Sequence, residues 1–154
     1  MRVEVNFNAI KEYAANFKRI VRDNEAQKFV EEFLTEVAYL VVSQAVYRTP
    51  VDTGALRAAW QIGDLSVVDK SGSMVDLSLN DLVSQITTVG NSLEIEILNG
   101  MEYANFVEYG HRTRAGGWVN GRYMITVPLD EMEREITELY EIAIQRWAKK
   151  QGLV

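Results

Sequence analysis

The residue types that most often perform chemistry are sparse in this chain. It contains one histidine, His111, and no cysteine, which excludes two-histidine metal motifs, thiolate metal sites, disulfides and cysteine nucleophiles. His111 lies between Gly110 and Arg112, without a serine or aspartate at the spacing of a known nucleophile motif. We therefore expect a protein that is not an enzyme and that holds no metal and no other cofactor.

Carboxylates are frequent, but their spacing predicts that they lie on solvent-exposed surfaces. Five glutamates share the polar side of the last predicted helix, and four acidic residues alternate with apolar ones along predicted strands. The helix residues are Glu131, Glu133, Glu135, Glu138 and Glu141, and the strand residues are Asp76, Asp81, Glu94 and Glu96. We expect the helix residues to be solvated and the strand residues to face water or an assembly partner.

The size and composition of the chain predict one domain spanning residues 1–154. Its 154 residues are 47% hydrophobic and 25% charged, and a chain of this size buries well over half of its unfolded surface. No apolar run approaches the roughly 20 residues of a membrane helix, and the opening residues lack the pattern of a secretory signal. We therefore expect no membrane contact and a cytoplasmic site of synthesis.

Hydrophobic periodicity predicts the elements of the N-terminal half. Alternation over residues 2–7 indicates a strand, and helical spacing indicates a helix over residues 8–21 and a longer one over residues 25–48. The longer helix is the expected core element because its apolar stripe is the widest.

A structured loop ends the long helix at residues 49–54. Pro50 disfavours helix at the preceding residue, and Gly54 permits backbone angles that are closed to other residues. Asp52 or Thr53 can cap a following turn.

The remaining residues predict a sheet followed by a helix. Residues 59–98 indicate an antiparallel meander with strands at 60–62, 65–68, 75–79, 82–89 and 93–97 and turns at 70–73 and 90–91. Beyond it we expect one or two helical turns at 103–109, an exposed loop at 111–122 and a return to the sheet at 123–127. A last helix follows from residue 129 and ends in Lys149, Lys150 and Gly152. The predicted class is α+β, a mainly antiparallel sheet with a long N-terminal-half helix and a C-terminal helix packed on one face.

Two segments are more particular than packing requires: PVDTGALR at residues 50–57 and YANFVEYG at residues 103–110. Together they resemble the tailed-bacteriophage family of tail-component, head-tail joining and tail-completion proteins of the neck. That family pairs a long helix ending in the first motif with the second motif downstream. The close matches cover about 20 positions. After Gly110 the chain departs from the family, which often continues with Pro-Phe and Arg-Pro-Ala, so contacts of the loop at 111–122 are not carried over.

The resemblance implies a structural virion protein that forms a ring, commonly six-fold, at the neck end of the tail tube. It implies a tail terminator, completion or head-tail joining protein, made in the host bacterial cytoplasm and incorporated into the virion tail. The implied partners are further copies of itself, the tail tube protein, neck and connector proteins and, where one exists, the tail sheath. DNA is met only as it passes through a channel.

A closed ring requires two different complementary patches on each subunit, and loops on a rigid sheet supply them. Arginine suits bidentate pairing with a neighbour's carboxylate, and an exposed loop tryptophan often anchors an interface, although Trp118 could also be buried locally. The candidate subunit or partner interface consists of Pro50, Asp52, Thr53, Arg57, Glu108, Tyr109, Arg112, Arg114, Trp118 and Arg122.

One alternative stays open from the residues alone. The basic loop 111–122 is also typical of a nucleic-acid or regulatory binding module. The net charge of −6 opposes a general affinity for phosphate but leaves room for a local patch. Salt-dependent binding to duplex DNA distinguishes the two hypotheses.

Overall fold

In a computed structural model, the described residues 1–5 and 23–152 form seven strands and five helices. The predicted helix at 8–21 lies outside the described residues. The elements are β1 (Arg2–Val5), α1 (Asp23–Arg48), α2 (Ala55–Ala58), β2 (Trp60–Ile62), β3 (Leu65–Ser66), α3 (Leu79–Val83), β4 (Thr87–Val89), β5 (Ser92–Asn99), α4 (Ala104–Tyr109), β6 (Gly110–Arg112), β7 (Trp118–Asn120) and α5 (Thr126–Lys150). The predicted α+β class is confirmed, and no described helix is both long and apolar enough to cross a membrane.

The main sheet is organised around β5. This strand pairs antiparallel with β1, β2 and β4, and β3 pairs with β2, which gives the order β1-β5-β2-β3. Ile95, Ile97 and Asn99 alternate on its buried face, as expected for a sheet with one covered side. The predicted simple meander is wrong, because β1 pairs with β5 and β2 lies beside β5 on the sheet path.

The long helix α1 forms the centre of the core. Its buried stripe contacts β2 and β5, and α5 packs along it. Aromatic rings fix the packing: the Phe29 and Trp147 centroids lie 5.8 Å apart, and those of Phe33 and Tyr140 lie 5.3 Å apart. The early part of α1 thus meets the late part of α5, so the helices are antiparallel and the end of α1 lies near the start of α5.

Two predicted strands, 75–79 and 82–89, are replaced by the short helix α3 and the three-residue strand β4. The hydroxyl of Ser78 accepts a hydrogen bond from the Asp81 amide at 3.1 Å, which is an N-cap interaction. Asn80 and Asp81 also disfavour a strand. Leu79 and Leu82 therefore lie on a helical turn, whereas residues 75–78 form no regular element.

The two predictions that follow α4 also need correction. Residues 111–122 are not an unstructured loop, because β6 and β7 form a two-stranded hairpin, although its residues are mostly exposed as predicted. Residues 123–127 do not return to the sheet. Tyr123 has a φ of 50°, a left-handed conformation, and α5 starts at Thr126 with Pro128 in its first turn, where a missing amide hydrogen is tolerated.

Candidate functional site

The first motif is fastened to the end of α1 by a buried threonine. The Thr49 hydroxyl donates to the carbonyl of Ala45 at 2.6 Å and accepts from the indole nitrogen of Trp60 at 2.8 Å. The Arg57 guanidinium donates to the Thr49 carbonyl at 3.0 Å, where a cation also complements the negative end of the helix dipole. Arg57, predicted as an interface residue, thus bonds within its own subunit.

The tip of this loop stays accessible. Pro50 is half-buried, whereas Asp52 and Thr53 are exposed. The N-cap position of α2 belongs to Gly54, whose φ is 84°, so the prediction of Asp52 or Thr53 at that position is wrong. The Thr53 hydroxyl still accepts from the Ala55 amide, at 3.3 Å. The tip can therefore meet a partner without any change in the fold.

Asn99 joins the first motif to the segment leading into the second. Its side-chain amide donates to the Leu56 carbonyl at 2.8 Å, and its oxygen accepts from the Met101 amide at 3.1 Å. The Asn99 side chain is buried, and its bond to the Leu56 carbonyl is shielded from water. Two sequence segments about 50 residues apart are thereby fixed at one end of the molecule.

Glu108 is the buried centre of the second motif. The residue is 0% exposed, and its carboxylate accepts from the Ile125 amide at 3.2 Å and from the amide and hydroxyl of Thr126 at 3.0 and 2.6 Å. It therefore caps the N-terminus of α5, where backbone donors lack helical partners and the dipole favours a negative charge. Since no part of Glu108 reaches the surface, it holds the base of the hairpin and does not itself meet solvent.

Two glycines close the base of the hairpin. Gly110 has a φ of 83°, and a Cβ there would collide with the carbonyl of Val119. A Cβ on Gly121 would collide with the carbonyl of Glu108. The hairpin can approach α4 this closely only because both positions lack side chains.

The hairpin and α4 expose aromatic and cationic side chains together. Phe106, Tyr109 and Trp118 are 57%, 56% and 60% exposed, and large apolar residues exposed close together are typical of an interaction surface. Arg112 and Trp118 are direct cross-strand partners, so they leave the same face of the hairpin. We call this the hairpin surface; it comprises Phe106, Tyr109, Arg112, Arg114, Trp118 and Arg122.

Among the described residues, no carboxylate pairs with the arginines of the hairpin surface. Residues 110–122 contain three arginines and no carboxylate. Within residues 1–5 and 23–152 the one ion pair closer than 4.0 Å joins Arg2 to Glu96, at 3.4 Å, in the main sheet. Across the same residues, no group of three histidine, aspartate or glutamate side chains could hold a metal ion. The surface is therefore suited to an acidic and partly apolar partner rather than to a metal.

A protein-family profile described as "Bacteriophage HK97-gp10, putative tail-component" matches residues 11–110. The chain belongs to this family. It is thus a structural phage tail protein, and the resemblance predicted from the two motifs is confirmed. No curated protein and no solved structure matches the chain significantly. The family match includes both motifs and ends at Gly110, so most of the hairpin surface lies beyond it.

The structure brings the predicted site residues into two groups. Tyr109, Arg112, Arg114, Trp118 and Arg122 surround the hairpin, with Glu108 beneath it, and Pro50, Asp52, Thr53 and Arg57 belong to the loop after α1. Their role at an interface stays a prediction.

Sequence reasoning missed Thr49, Asn99 and Phe106. Thr49 follows Ala45 by one helical turn on the buried side, and Asn99 continues the inward alternation of Ile95 and Ile97. A polar residue at an apolar position of the pattern was the available signal for both. For Phe106, the signal was a second aromatic residue, beside Tyr109, among the six residues of α4.

Proposed function

We propose that this tail protein is a ring-forming subunit at the neck end of the tail tube, acting as a tail terminator, completion or head-tail joining protein. Six copies of the single domain, residues 1–154, form the ring. Family membership supports a place in the tail. The hairpin surface supports assembly, because its aromatic rings are exposed and its arginines form no ion pair with other described residues, on a base fixed by the buried carboxylate of Glu108.

The proposed partners follow from that position. Copies of the chain contact one another around the ring, and the ring contacts the tail tube protein on one side and neck or connector proteins on the other, with the sheath added in contractile particles. The accessible tip with Asp52 and Thr53 lies on the loop after α1 and offers a second surface for these proteins. DNA passes through the channel, and assembly takes place in the host cytoplasm without a catalytic step.

Two measurements test the proposal. Light scattering on the purified protein across concentrations, with negative-stain imaging of the same sample, should show a ring with a central hole. In a phage lysate, loss of the gene should leave heads and tails that do not join, or tails of irregular length, and the wild-type gene should restore complete particles. Complete, infectious particles without the protein would refute a neck role.

A nucleic-acid or regulatory binding role is the second candidate, supported by the three arginines and Trp118 in one hairpin. Three phosphate contacts predict a slope of about −3 in a plot of log affinity against log salt concentration. The tail-ring proposal expects little binding to duplex DNA at physiological salt. Submicromolar binding with that slope would favour the nucleic-acid role.

A further inference from the structure

An acidic groove lies beside the middle of α1, where residues 32–40 of the helix form one side of it. Its volume is about 400 Å³, within the range of protein pockets that enclose large side chains or small ligands. Carboxylates of Glu32, Glu36 and Asp76 line it, together with the apolar side chains of Leu40 and Leu79.

Three features suit the groove to a partner that carries apolar and cationic side chains. Leu40 is 40% exposed and Leu79 is 46% exposed, so an apolar floor is open to solvent. No lysine or arginine lines the groove itself. Glu32 and Glu36 also line an adjacent cleft with Lys28, Arg146 and Lys150, but none of the described residues forms an ion pair closer than 4.0 Å with the groove carboxylates. One wall is held in place by Tyr39, whose hydroxyl donates to the Val75 carbonyl at 3.0 Å.

The groove complements the hairpin surface in charge and in chemistry. Three carboxylates line the groove and three arginines lie in residues 110–122, and none of them forms an ion pair with another described residue. An apolar floor edged by charge accepts an aromatic anchor such as Trp118, while arginines at the edge pair with the carboxylates. Within the described part of the subunit, neither set of charges forms an ion pair closer than 4.0 Å.

The two surfaces lie apart on the molecule. The hairpin is bound to the start of α5, which lies near the end of α1 because the two helices are antiparallel. Glu36 precedes the last residue of α1, Arg48, by 12 positions, which corresponds to roughly 18 Å along a helix. Two different, separated patches are what a head-to-tail contact requires, and such a contact can close into a ring.

We propose that the hairpin surface of one copy docks into the acidic groove of the neighbouring copy, with Trp118 on the apolar floor and Arg112 and Arg114 paired with Glu32, Glu36 and Asp76. The contact deepens the proposed function and rests on it, since it supplies the subunit interface of the ring. In this contact, the hairpin surface, most of which lies beyond the family match, binds the acidic groove beside α1 of the next copy.

Charge exchange tests the contact directly. The double substitution Arg112→Glu with Arg114→Glu should weaken self-association at least tenfold, and so should Glu32→Arg with Glu36→Arg. A chain that carries all four changes should associate again, since the charges at positions 32, 36, 112 and 114 are then exchanged at every interface and only Asp76 keeps its original charge. Glu138→Arg with Glu141→Arg changes the same charge on the exposed face of α5 and should leave association unchanged.

Cross-linking tests the geometry independently of charge. Because the chain has no cysteine, Ala115→Cys in the hairpin turn and Asn80→Cys beside Leu79 introduce single thiols at exposed sites. With a short bis-maleimide, a mixture of the two variants should give a cross-linked dimer that neither gives alone. Cross-linking of either variant with itself would indicate a symmetric contact and overturn the proposal.

The outcomes separate this contact from the proposed function. The contact is overturned if rings persist in both charge-reversed variants. It is also overturned if the fourfold variant fails to reassociate although its circular dichroism and melting temperature match those of the wild type. Neither outcome affects the proposed role at the neck. A wild-type chain that stays monomeric, with no cross-link in the mixture, also overturns the contact. The neck role is then judged by the particles formed without the gene.

Discussion

The buried carboxylate of Glu108 makes the sharpest prediction about stability. Glu108→Ala removes all three hydrogen bonds at the start of α5 and leaves the buried Ile125 amide without an acceptor. Glu108→Gln keeps the shape of the side chain but removes the charge and presents one NH₂ group to backbone donors. Comparing the two separates the loss of volume from the loss of the acceptor.

The expected magnitudes follow from the groups that lose partners. An orphaned buried amide costs about 1–3 kcal/mol, a lost N-cap about 1 kcal/mol and a lost charge at the helix terminus about 0.5–1 kcal/mol. With the cavity added, Glu108→Ala should lower the free energy of unfolding by about 4 kcal/mol and Glu108→Gln by about 2 kcal/mol. For a chain of this size, 4 kcal/mol corresponds to a melting temperature lower by roughly 10 °C.

Urea unfolding followed by circular dichroism measures these changes, provided that the slope of the free energy of unfolding against urea concentration is the same in all variants. Glu102→Ala is the matched control, because it removes an exposed carboxylate close to the start of α4 and should cost less than about 0.5 kcal/mol. A cost below about 1 kcal/mol for Glu108→Ala would refute the capping role. Equal costs for Gln and Ala would show that the acceptor geometry, rather than the filled volume, carries the effect.

Three further predictions concern the same framework. Thr49→Val keeps the shape but orphans the Trp60 indole N–H, and should lower unfolding free energy by about 1–3 kcal/mol in urea titrations; no change would contradict the role of that bond. Gly110→Ala should destabilise the protein more than Gly116→Ala, since both glycines have positive φ but only Gly110 lies against other atoms; equal melting temperatures would count against the close approach. Burial raises the pKa of Tyr140 to about 12 from its ordinary 10.0, so the unfolded chain releases the proton first and stability falls between about pH 10 and 12; Tyr140→Phe should lack that part of the alkaline loss, and identical pH profiles would refute it.

The longest elements could be predicted from the sequence because their signals are local and repeated. The stripe of α1 and that of α5 each recur over many turns, so one misplaced residue does not hide the period. The β4–β5 hairpin was equally accessible, since Gly90 and Asn91 form its turn between apolar alternations.

The short elements depended on information outside the hydrophobic pattern. For α3, the decisive feature was the N-cap bond of Ser78, which competes with strand formation in a segment of mixed periodicity. The order of strands in the sheet depended on long-range pairing of β1 with β5, which no local window contains. The hairpin that begins at Gly110 could not be predicted from hydrophobic alternation, because each of its strands has only three residues.

For the candidate site, the exposure of the residues after Gly110 could be predicted, but the burial of Glu108 could not. Trp118 and the arginines of residues 111–122 are exposed as expected, whereas Glu108 is fully buried. The sequence around Glu108 does not indicate that the first turn of α5 will pack against its carboxylate. Its partners Ile125 and Thr126 are 17 and 18 positions away, so only the folded structure reveals the cap.

Both motif segments make bonds that fix one end of the molecule. Leu56 of the first motif is tied through Asn99 to the segment before the second, and Glu108 ties the second to α5. The hairpin that leaves this rigid end starts where the family match stops, at Gly110. A surface placed on such a support can change its charges and aromatic residues without disturbing the core, because its side chains contribute little to burial. We therefore expect substitutions in the hairpin surface to change which molecule this protein binds, and substitutions in the motifs to change whether it folds.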